Sequence, residues 1–282
     1  MAAGLVRELG PVIAVALRLE IAAVILLVVA RPRLRGRSRA DWLAAGLLAA
    51  ALGVMNLCFY GALGRLPLGG VVTIEFLGPL GLAAAVSRRP LDFVAVIAAL
   101  TGVVAVSGVL LVDLDRLDGV GLALAVAAGA CWAGYILASR TVSRRWSRLD
   151  GLAVAMALAA IPVTPLAVLA LPDSGIELGH VAVGGLVAVL SSVLPYSLEL
   201  VALRWIDTRV FGILLSLDPA VAALAGFLVL REALAPVELA GMALVVGASV
   251  MVLVTQSAGR GAAAAATGGE KPEVLAELAE LG

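Results

Sequence analysis

Charged residues are scarce in this sequence of 282 residues. They make up 14% of it, against roughly a quarter in an ordinary soluble domain. Lysine occurs once, at Lys271. A phosphate-binding loop of the pattern G-x-x-x-x-G-K-[ST] and a lysine Schiff base both need a lysine within the fold, so neither chemistry is available. The formal net charge is zero, which removes the electrostatic basis for a nucleic-acid partner. These absences exclude ATP hydrolysis by this chain.

Metal ligands and thiols are equally rare. The sequence has one histidine, His180, and two cysteines, Cys58 and Cys131, which both lie in apolar stretches. These residues provide neither a zinc site nor a disulfide framework. The acidic pattern D-x-D-x-x-D at residues 113–118 lacks the glycine turn and the closing glutamate of a calcium-binding loop, and we interpret it as a solvated loop. We therefore expect no metal, no cofactor and no catalytic residue.

Apolar residues dominate the rest of the sequence. They account for 62% of it, and the mean hydropathy is +1.11. A membrane-spanning helix needs about 20 predominantly apolar residues. Nine such runs alternate with charged or turn-forming segments, at residues 12–30, 42–60, 68–86, 93–112, 119–138, 151–171, 181–203, 210–230 and 236–254. The sequence therefore predicts an all-α polytopic membrane protein with nine transmembrane helices, embedded in a lipid bilayer.

Positive charge is concentrated on one side of the predicted bundle. Lys and Arg close to helix ends are retained in the cytoplasm during insertion. One set of alternate connections, with the C-terminal tail, carries fifteen of these residues, whereas the other set carries only Arg65, Arg116 and Arg231. This asymmetry predicts a cytoplasmic C-terminus and an external N-terminus.

The sequence repeats itself weakly at an offset of 140 residues. Pro79 falls on Pro219, and Gly102 falls within one residue of Gly241. The same shift maps the helix predicted at 119–138 to a position before residue 1. The repeat therefore indicates units of five helices, of which the first helix of the first unit is missing.

An odd number of helices per unit gives the two units opposite orientations, as in the inverted repeats of many secondary transporters. We predict a first unit of four helices at residues 1–113 and a second of five at 114–255. A mostly disordered cytoplasmic tail is predicted at 256–282. We expect the coding frame upstream of Met1 to supply the absent helix with about 20–30 residues, the length of one crossing plus a cap.

Several strings of the sequence resemble one family of transporters. They are ALRL at 16–19, PLGGVVTIEFLGPL at 67–80, SRRPLDF at 87–93, ACWAGYIL at 130–137, LPYSLE at 194–199 and the segment 208–219. Together they resemble the threonine/homoserine exporter branch of the EamA-type drug/metabolite transporter superfamily, from about residue 17 to residue 254.

The resemblance implies a ten-helix, five-plus-five transporter fold in the inner membrane. It implies secondary active export of small metabolites, amino acids such as threonine or homoserine, by alternating access. Proton coupling and a homodimer stay open. This chain departs from the family pattern in lacking the first helix and in carrying Glu20 where a small apolar residue is expected.

Two acidic residues lie beside the repeat-related prolines. Glu75 stands four residues before Pro79, and Asp218 directly precedes Pro219. A proline inside a helix leaves the carbonyl four residues earlier without its donor, and such carbonyls are tolerated in a membrane where they are buried in protein or line a cavity. We therefore expect a substrate cavity at these kinks, where Glu75 binds a substrate ammonium or carries a proton. In the alternative the prolines only bend the helices, and each acid pairs with Arg18.

Other polar and aromatic side chains at membrane depth complete the predicted substrate-binding set. An ionisable residue inside a bilayer costs about 3 kcal/mol on insertion scales and usually faces the bundle interior. The additional candidates are Arg18, Asn56, Tyr60, Thr73, Trp132, Tyr135, Tyr196 and Glu199. For each aromatic or hydroxyl residue the alternative is an interfacial anchor or a packing hydrogen bond.

Three other functions stay open at this point. The first is transport of a drug or another metabolite by the same fold, and the second is a membrane subunit that transports nothing. The third, a membrane-embedded hydrolase, is disfavoured because His180 lies outside the predicted helices and the acids form no recognisable catalytic pair.

The arginine distribution generates the first testable prediction. A fluorescent protein fused to the C-terminus should fluoresce, whereas alkaline phosphatase at the same position should be inactive, because the tail is predicted to be cytoplasmic. Active phosphatase together with a dark fluorescent fusion would show that the topology is reversed.

Overall fold

The computed structural model describes residues 2–87, 90–107, 118–171, 175–225 and 235–266. All regular elements in these ranges are helices. They are α1 Ala2–Leu9, α2 Pro11–Ala30, α3 Arg39–Leu63, α4 Leu68–Val86, α5 Pro90–Val106, α6 Gly119–Arg145, α7 Asp150–Leu169, α8 Leu178–Ala188, α9 Leu194–Trp205, α10 Thr208–Leu215, α11 Leu217–Ala225 and α12 Pro236–Ala266. A π-helical turn, Val189–Val193, joins α8 to α9.

Seven helices of the described ranges are long and apolar enough to cross a membrane, if the stretch from α8 to α9 is counted as one helix. The others are α2, α3, α4, α6, α7 and the part of α12 up to Val254, while α5 is apolar but shorter. Many apolar side chains on these helices point outward, such as Val24, Ile97 and Leu198. A surface of this kind is stable in lipid and not in water. The chain is therefore an all-α, multi-pass membrane protein.

Most predicted helices coincide with observed ones. The run 68–86 has the same bounds as α4, and the runs 12–30 and 151–171 match α2 and α7 to within two residues. Local capping explains where two other helices begin. Ser38 and Asp41 form a capping box at the start of α3, and Asp118 accepts the first N–H groups of α6.

The observed helices differ from the predictions at several points. The run 210–230 is divided at Ser216 into α10 and α11, and residues 226–234 lie outside the described ranges. The predicted helix 93–112 is described only as α5, since residues 108–117 also lie outside them. Helix α12 continues to Ala266, where a disordered tail was predicted from residue 256. The run AAAAA at 262–266 explains this, because alanine has the highest helix propensity.

The helix α1 before Pro11 and the position of His180 within a helix were also not predicted. Helix α1 buries Leu5 and Leu9 against the bundle, so tertiary packing rather than length stabilises it. His180 was expected in an exposed loop, but it lies in the first turn of α8 and is half-buried. Its Nε2 lies 3.1 Å from a carboxylate oxygen of Glu8 at the end of α1. This contact ties α1 to α8.

The bundle is assembled from closely packed helix pairs. Helix α3 packs on α6, α2 packs on α7, α5 packs on α12, and α4 lies between α6 and α10. The shared core is rich in alanine and leucine, including Ala45, Ala155 and Leu48. Small residues allow helix backbones to approach closely, and van der Waals packing is the main attraction between helices in lipid.

The closest approach of this kind joins α4 and α6 through two glycines. A Cβ atom on Gly78 would overlap the carbonyl group of Gly129, and a Cβ atom on Gly129 would lie 2.8 Å from the carbonyl oxygen of Glu75. That oxygen is the one that Pro79 leaves without a helical donor. It therefore lies against the backbone of α6.

Ion pairs connect the polar ends of the helices. Arg65 lies 2.9 Å from Asp118, and its hydrogen bond, followed by those from the α6 backbone, lowers the pKa of Asp118. At the arginine-rich end, Arg209 lies 2.7 Å from the fully buried Asp92. Within the described ranges there is no cluster of His, Cys, Asp and Glu that is suited to a metal ion; Asp113 and Asp115 lie outside them.

The glycine contact between α4 and α6 generates a stability prediction. Gly78→Ala should lower the melting temperature of the purified protein, because overpacking typically costs about 1–3 kcal/mol and the contact here is with backbone. Gly81→Ala is the matched control on the same helix, since a Cβ atom there has no neighbour within 4 Å. Equal melting temperatures for the two variants would contradict the packing of α4 on α6.

Candidate functional site

A cavity of about 150 Å³ lies inside the bundle and is lined by charged, polar and aromatic side chains. Helices α2, α3, α4, α6 and α9 each contribute to its wall. The lining residues are Arg18, Met55, Asn56, Phe59, Glu75, Trp132, Tyr196 and Glu199. This volume is below the roughly 300–1,000 Å³ of sites for drug-sized ligands, so the cavity suits a small solute.

Arg18 is the most heavily hydrogen-bonded of these side chains. It is buried on α2, and its Nε donates to Ser192 Oγ at 2.6 Å. Nη1 donates to the Tyr60 hydroxyl at 3.3 Å, and Nη2 donates to the Ser191 carbonyl at 2.6 Å and to the Tyr196 hydroxyl at 3.2 Å. The guanidinium carbon also lies about 6 Å from the centroids of both tyrosine rings, within the range of a cation–π interaction. All these partners are neutral, so Arg18 keeps its positive charge uncompensated by them.

The Ser191 carbonyl is available to Arg18 because of Pro195. Proline has no N–H and therefore cannot donate to the carbonyl four residues earlier, which is that of Ser191. The chain forms a π-helical turn at this point, Val189–Val193. Such turns insert an extra residue into a helix and often occur at functional sites. Pro195 thus provides an acceptor in the membrane interior for the guanidinium group.

Glu75 lies in the wall of the same cavity on α4 and is buried. Arg18 is close enough to interact with it electrostatically, but the two side chains form no ion pair. The alternative that each acid pairs directly with Arg18 therefore does not hold for Glu75. A buried acid without a cation in direct contact is unfavourable at this depth, so it favours either a proton or a cationic group of a ligand.

A second acid and several aromatic rings complete the cavity. The carboxyl group of Glu199 is buried, and its polar neighbour is the hydroxyl of Tyr135. Trp132 packs edge-on against Phe76 at 4.9 Å between ring centroids, and Tyr196 packs on Tyr135 at 5.3 Å. The cavity therefore combines one guanidinium and two carboxyl groups with apolar walls.

The structure brings together six of the ten predicted binding residues in the wall of the cavity: Arg18, Asn56, Glu75, Trp132, Tyr196 and Glu199. Tyr60 contacts the cavity through its hydrogen bond to Arg18, and Tyr135 is fully buried behind Tyr196.

Two predicted residues lie elsewhere. The Thr73 hydroxyl makes hydrogen bonds to the Gly69 carbonyl at 2.8 Å and to Ser107 Oγ at 2.6 Å, which is the packing role named as its alternative. Asp218 on α11 has an exposed side chain and does not line the cavity. It is nevertheless close enough to interact electrostatically with Glu199, which does line the cavity.

Sequence reasoning missed Met55, Phe59, Ser191 and Pro195. The argument about freed carbonyls was applied to Pro79 and Pro219, whereas the carbonyl that Arg18 uses is freed by Pro195. The string LPYSLE contained that signal. Glu20, the unexpected acid, lies outside the cavity and accepts a hydrogen bond from Thr164 at 2.8 Å.

Comparison with known proteins places this chain among transporters. Residues 119–254 match the EamA-like transporter family. The chain is 36% identical over 255 residues to the threonine/homoserine exporter RhtA of Escherichia coli, covering 88% of this chain and 85% of that protein. It is 37% identical, with the same coverage, to the protein of that name from Salmonella typhimurium.

One solved crystal structure matches with a TM-score of 0.74 at 18% identity, and covers 90% of this chain and 91% of its own. At this identity it supports the fold alone. The family match and the relatives, of which this chain covers well over two thirds, lead to one conclusion: the chain belongs to the EamA-like transporter family.

Proposed function

We propose that the protein is a secondary active exporter of small amino acids such as threonine or homoserine. The observation that carries this proposal is the cavity of about 150 Å³, in which Arg18 and Glu75 both lie in the wall without forming a direct ion pair. An amino acid carries one negative and one positive group a few ångströms apart, so it complements such a pair. The names of the relatives from Escherichia coli and Salmonella typhimurium support the same substrate class.

In the proposed binding mode the substrate carboxylate lies at Arg18. A guanidinium has five N–H groups, and Arg18 uses four of them within the described part of the protein, which leaves one on Nη1. The tyrosine hydroxyls that accept from Arg18 have protons of their own to donate to a carboxylate. Charge-assisted hydrogen bonds of this type are about twice as strong as neutral ones.

The substrate ammonium lies at Glu75, with Glu199 as the second acceptor. Both carboxyl groups line the cavity, and Glu75 forms no ion pair with a described residue. Asn56 is available to the substrate hydroxyl, and Met55, Phe59 and Trp132 enclose its carbon chain. The apolar walls exclude water and so strengthen both charge interactions.

Proton coupling follows from competition for Glu75. When the substrate leaves, the carboxylate loses its cation and takes up a proton, since a bare charge is costly at membrane depth. Exchange of the substrate ammonium for a proton at one residue links the two fluxes in opposite directions.

We also propose the inverted-repeat architecture with nine transmembrane helices, in units 1–113 and 114–255 with a cytoplasmic tail at 256–282. Three of the four helix pairs related by the sequence offset pack on each other: α2 on α7, α4 on α10 and α5 on α12. A pseudo-two-fold axis produces self-pairing of this kind. Gly102 and Gly241, which the repeat relates, pack reciprocally: the Cβ position of each lies 2.7–2.8 Å from the other's carbonyl oxygen.

The proposed location is the bacterial inner membrane, with the arginine-rich end and the C-terminus in the cytoplasm. A homodimer stays compatible with this arrangement. The size of the cavity argues against a drug-sized solute, and the family match argues against catalysis as the main role. A subunit that transports nothing would not need a charged internal cavity.

Counterflow in proteoliposomes tests the proposed function. Vesicles that contain the protein and are loaded with unlabelled threonine or homoserine should accumulate the labelled amino acid, and vesicles without the protein should not. A panel of other amino acids defines the range of substrates. No accumulation of any amino acid by correctly inserted protein would refute the proposal.

Glu75 generates a more specific prediction. Glu75→Gln should reduce counterflow at least about tenfold, because a lost charge-assisted interaction is worth about 1.5–3 kcal/mol. The amide has the same shape as the carboxyl group, so the amount of inserted protein should not change. Glu20→Gln removes the same charge from a membrane helix outside the cavity and should keep most activity. Full, pH-dependent transport by Glu75→Gln would assign Glu75 a packing role only.

A further inference from the structure

A second and larger cavity opens at the arginine-rich end of the bundle. It has a volume of about 850 Å³ and lies between the last turns of α4 and α6 and the first turn of α10. Its lining residues are Val86, Leu137, Arg140, Thr141, Arg144, Arg145, Asp207, Thr208 and Arg209. We call this cavity the arginine vestibule. It is separate from the substrate cavity: Arg140 follows Trp132 by eight residues, or about 12 Å along α6 at 1.5 Å per residue.

Four guanidinium groups face the arginine vestibule, and three of them are partly compensated. Arg140 donates to Thr208 Oγ1 at 2.6 Å and to Asp207 Oδ1 at 3.2 Å. Arg209 is paired with the buried Asp92 of α5, and Arg145 lies 3.4 Å from Asp41 of α3. These contacts hold the arginines in position and leave N–H groups on each of them.

Arg144 is the exception among the four. It is exposed in the last turn of α6, and it has neither a hydrogen bond from its side chain nor an ion pair within the part of the protein that the structure describes. The positive charge of the vestibule is therefore not balanced by the acids around it.

Topology alone does not explain this arrangement. The positive-inside rule requires only that arginines lie near helix ends, whatever direction their side chains take. Solvated loop residues such as Arg35 already satisfy this rule. Arg140 and Arg144 instead converge with residues of another helix on one cavity. The rim of that cavity is apolar, since Val86 and Leu137 are 44% and 48% exposed. Guanidinium groups beside lipid-facing apolar side chains match the two parts of a phospholipid.

We propose that the arginine vestibule binds the phosphate group of an anionic phospholipid, with the acyl chains along Val86 and Leu137. Arginine forms forked, charge-assisted hydrogen bonds to phosphate oxygens, and basic pockets between membrane helices on the cytoplasmic side bind anionic headgroups. The bound lipid bridges α6, which contributes to the wall of the substrate cavity, and α10, which packs on α4. This proposal does not depend on which solute is transported.

Lipid binding to the full chain in detergent tests this inference. Native mass spectrometry and thermal unfolding are measured while phosphatidylglycerol or, separately, zwitterionic phosphatidylcholine is added. A ligand that binds only the folded state raises the melting temperature. We expect phosphatidylglycerol to bind and stabilise the protein. Phosphatidylcholine has the same phosphate group, but its choline cation is repelled by the guanidinium groups. It should therefore bind at least about tenfold more weakly, since the repulsion between two like charges a few ångströms apart at a protein surface is large enough for such a difference.

The variants separate the vestibule from unspecific attraction to positive charge. Arg144→Gln should weaken phosphatidylglycerol binding about tenfold, which corresponds to the loss of one charge-assisted hydrogen bond. The variant should still fold, because the side chain of Arg144 contacts no other described helix through a hydrogen bond or an ion pair. Arg35→Gln removes the same charge from an exposed loop at the same end and should bind lipid like the unchanged protein. Equal losses in both variants, or none in Arg144→Gln, would overturn the proposal.

A soluble phosphate source is tested in the same assay. Inorganic phosphate and glycerol phosphate are added in place of the lipid. Because they lack acyl chains, they should neither stabilise the protein at comparable concentration nor displace phosphatidylglycerol. Stabilisation by these ions as strong as by the lipid, and equally lost in Arg144→Gln, would overturn the lipid assignment in favour of a soluble phosphate compound.

Discussion

The burial of one guanidinium group inside the membrane is the constraint on which the site depends. A charged side chain is costly at this depth, and Arg18 is accommodated by four hydrogen bonds to three other segments: α3 through Tyr60, the π-turn through Ser191 and Ser192, and α9 through Tyr196. Each partner is neutral, so the charge is solvated by the protein without being cancelled. A cavity wall with a fixed positive charge and a separate acid at Glu75 is the result. The helices around Arg18 are thereby held at the spacing that leaves room for a small solute.

Much of the fold could be predicted from hydropathy, because a segment that crosses a membrane in a helical bundle is an α-helix of about 20 apolar residues. The bounds of α2, α4 and α7 followed from this alone. Features that depend on contacts between helices were not predictable in the same way. The helix α1 is stabilised by packing of Leu5 and Leu9, and the division of α10 from α11 at Ser216 has no hydropathy signal. The π-turn before Pro195 is local, but hydropathy windows average over it.

The charged residues of the site could be predicted from the sequence, because few ionisable side chains occur at membrane depth. Whether a given side chain points into the cavity could not be predicted. Arg18, Glu75 and Glu199 were found because ionisable side chains in a bilayer are expensive and face the interior. Asp218 met the same criterion but lies outside the cavity wall, near Glu199, since its position on the helix circumference depends on how α11 packs. Thr73 was selected as polar, yet its hydroxyl is satisfied by Gly69 and Ser107. The apolar wall residues Met55 and Phe59 have no distinguishing signal among many similar residues.

If the proposed binding mode holds, the cavity binds both charged groups of an amino acid, the carboxylate at Arg18 and the ammonium at Glu75. Competition against labelled threonine counterflow by two analogues tests it most directly. Threoninol lacks the carboxylate, and β-hydroxybutyrate lacks the ammonium, while both keep the hydroxyl and nearly the same size. We expect each analogue to compete at least about tenfold more weakly than threonine, because each lacks one charge-assisted contact. Competition by either analogue at the strength of threonine would contradict the assignment of the group that it lacks.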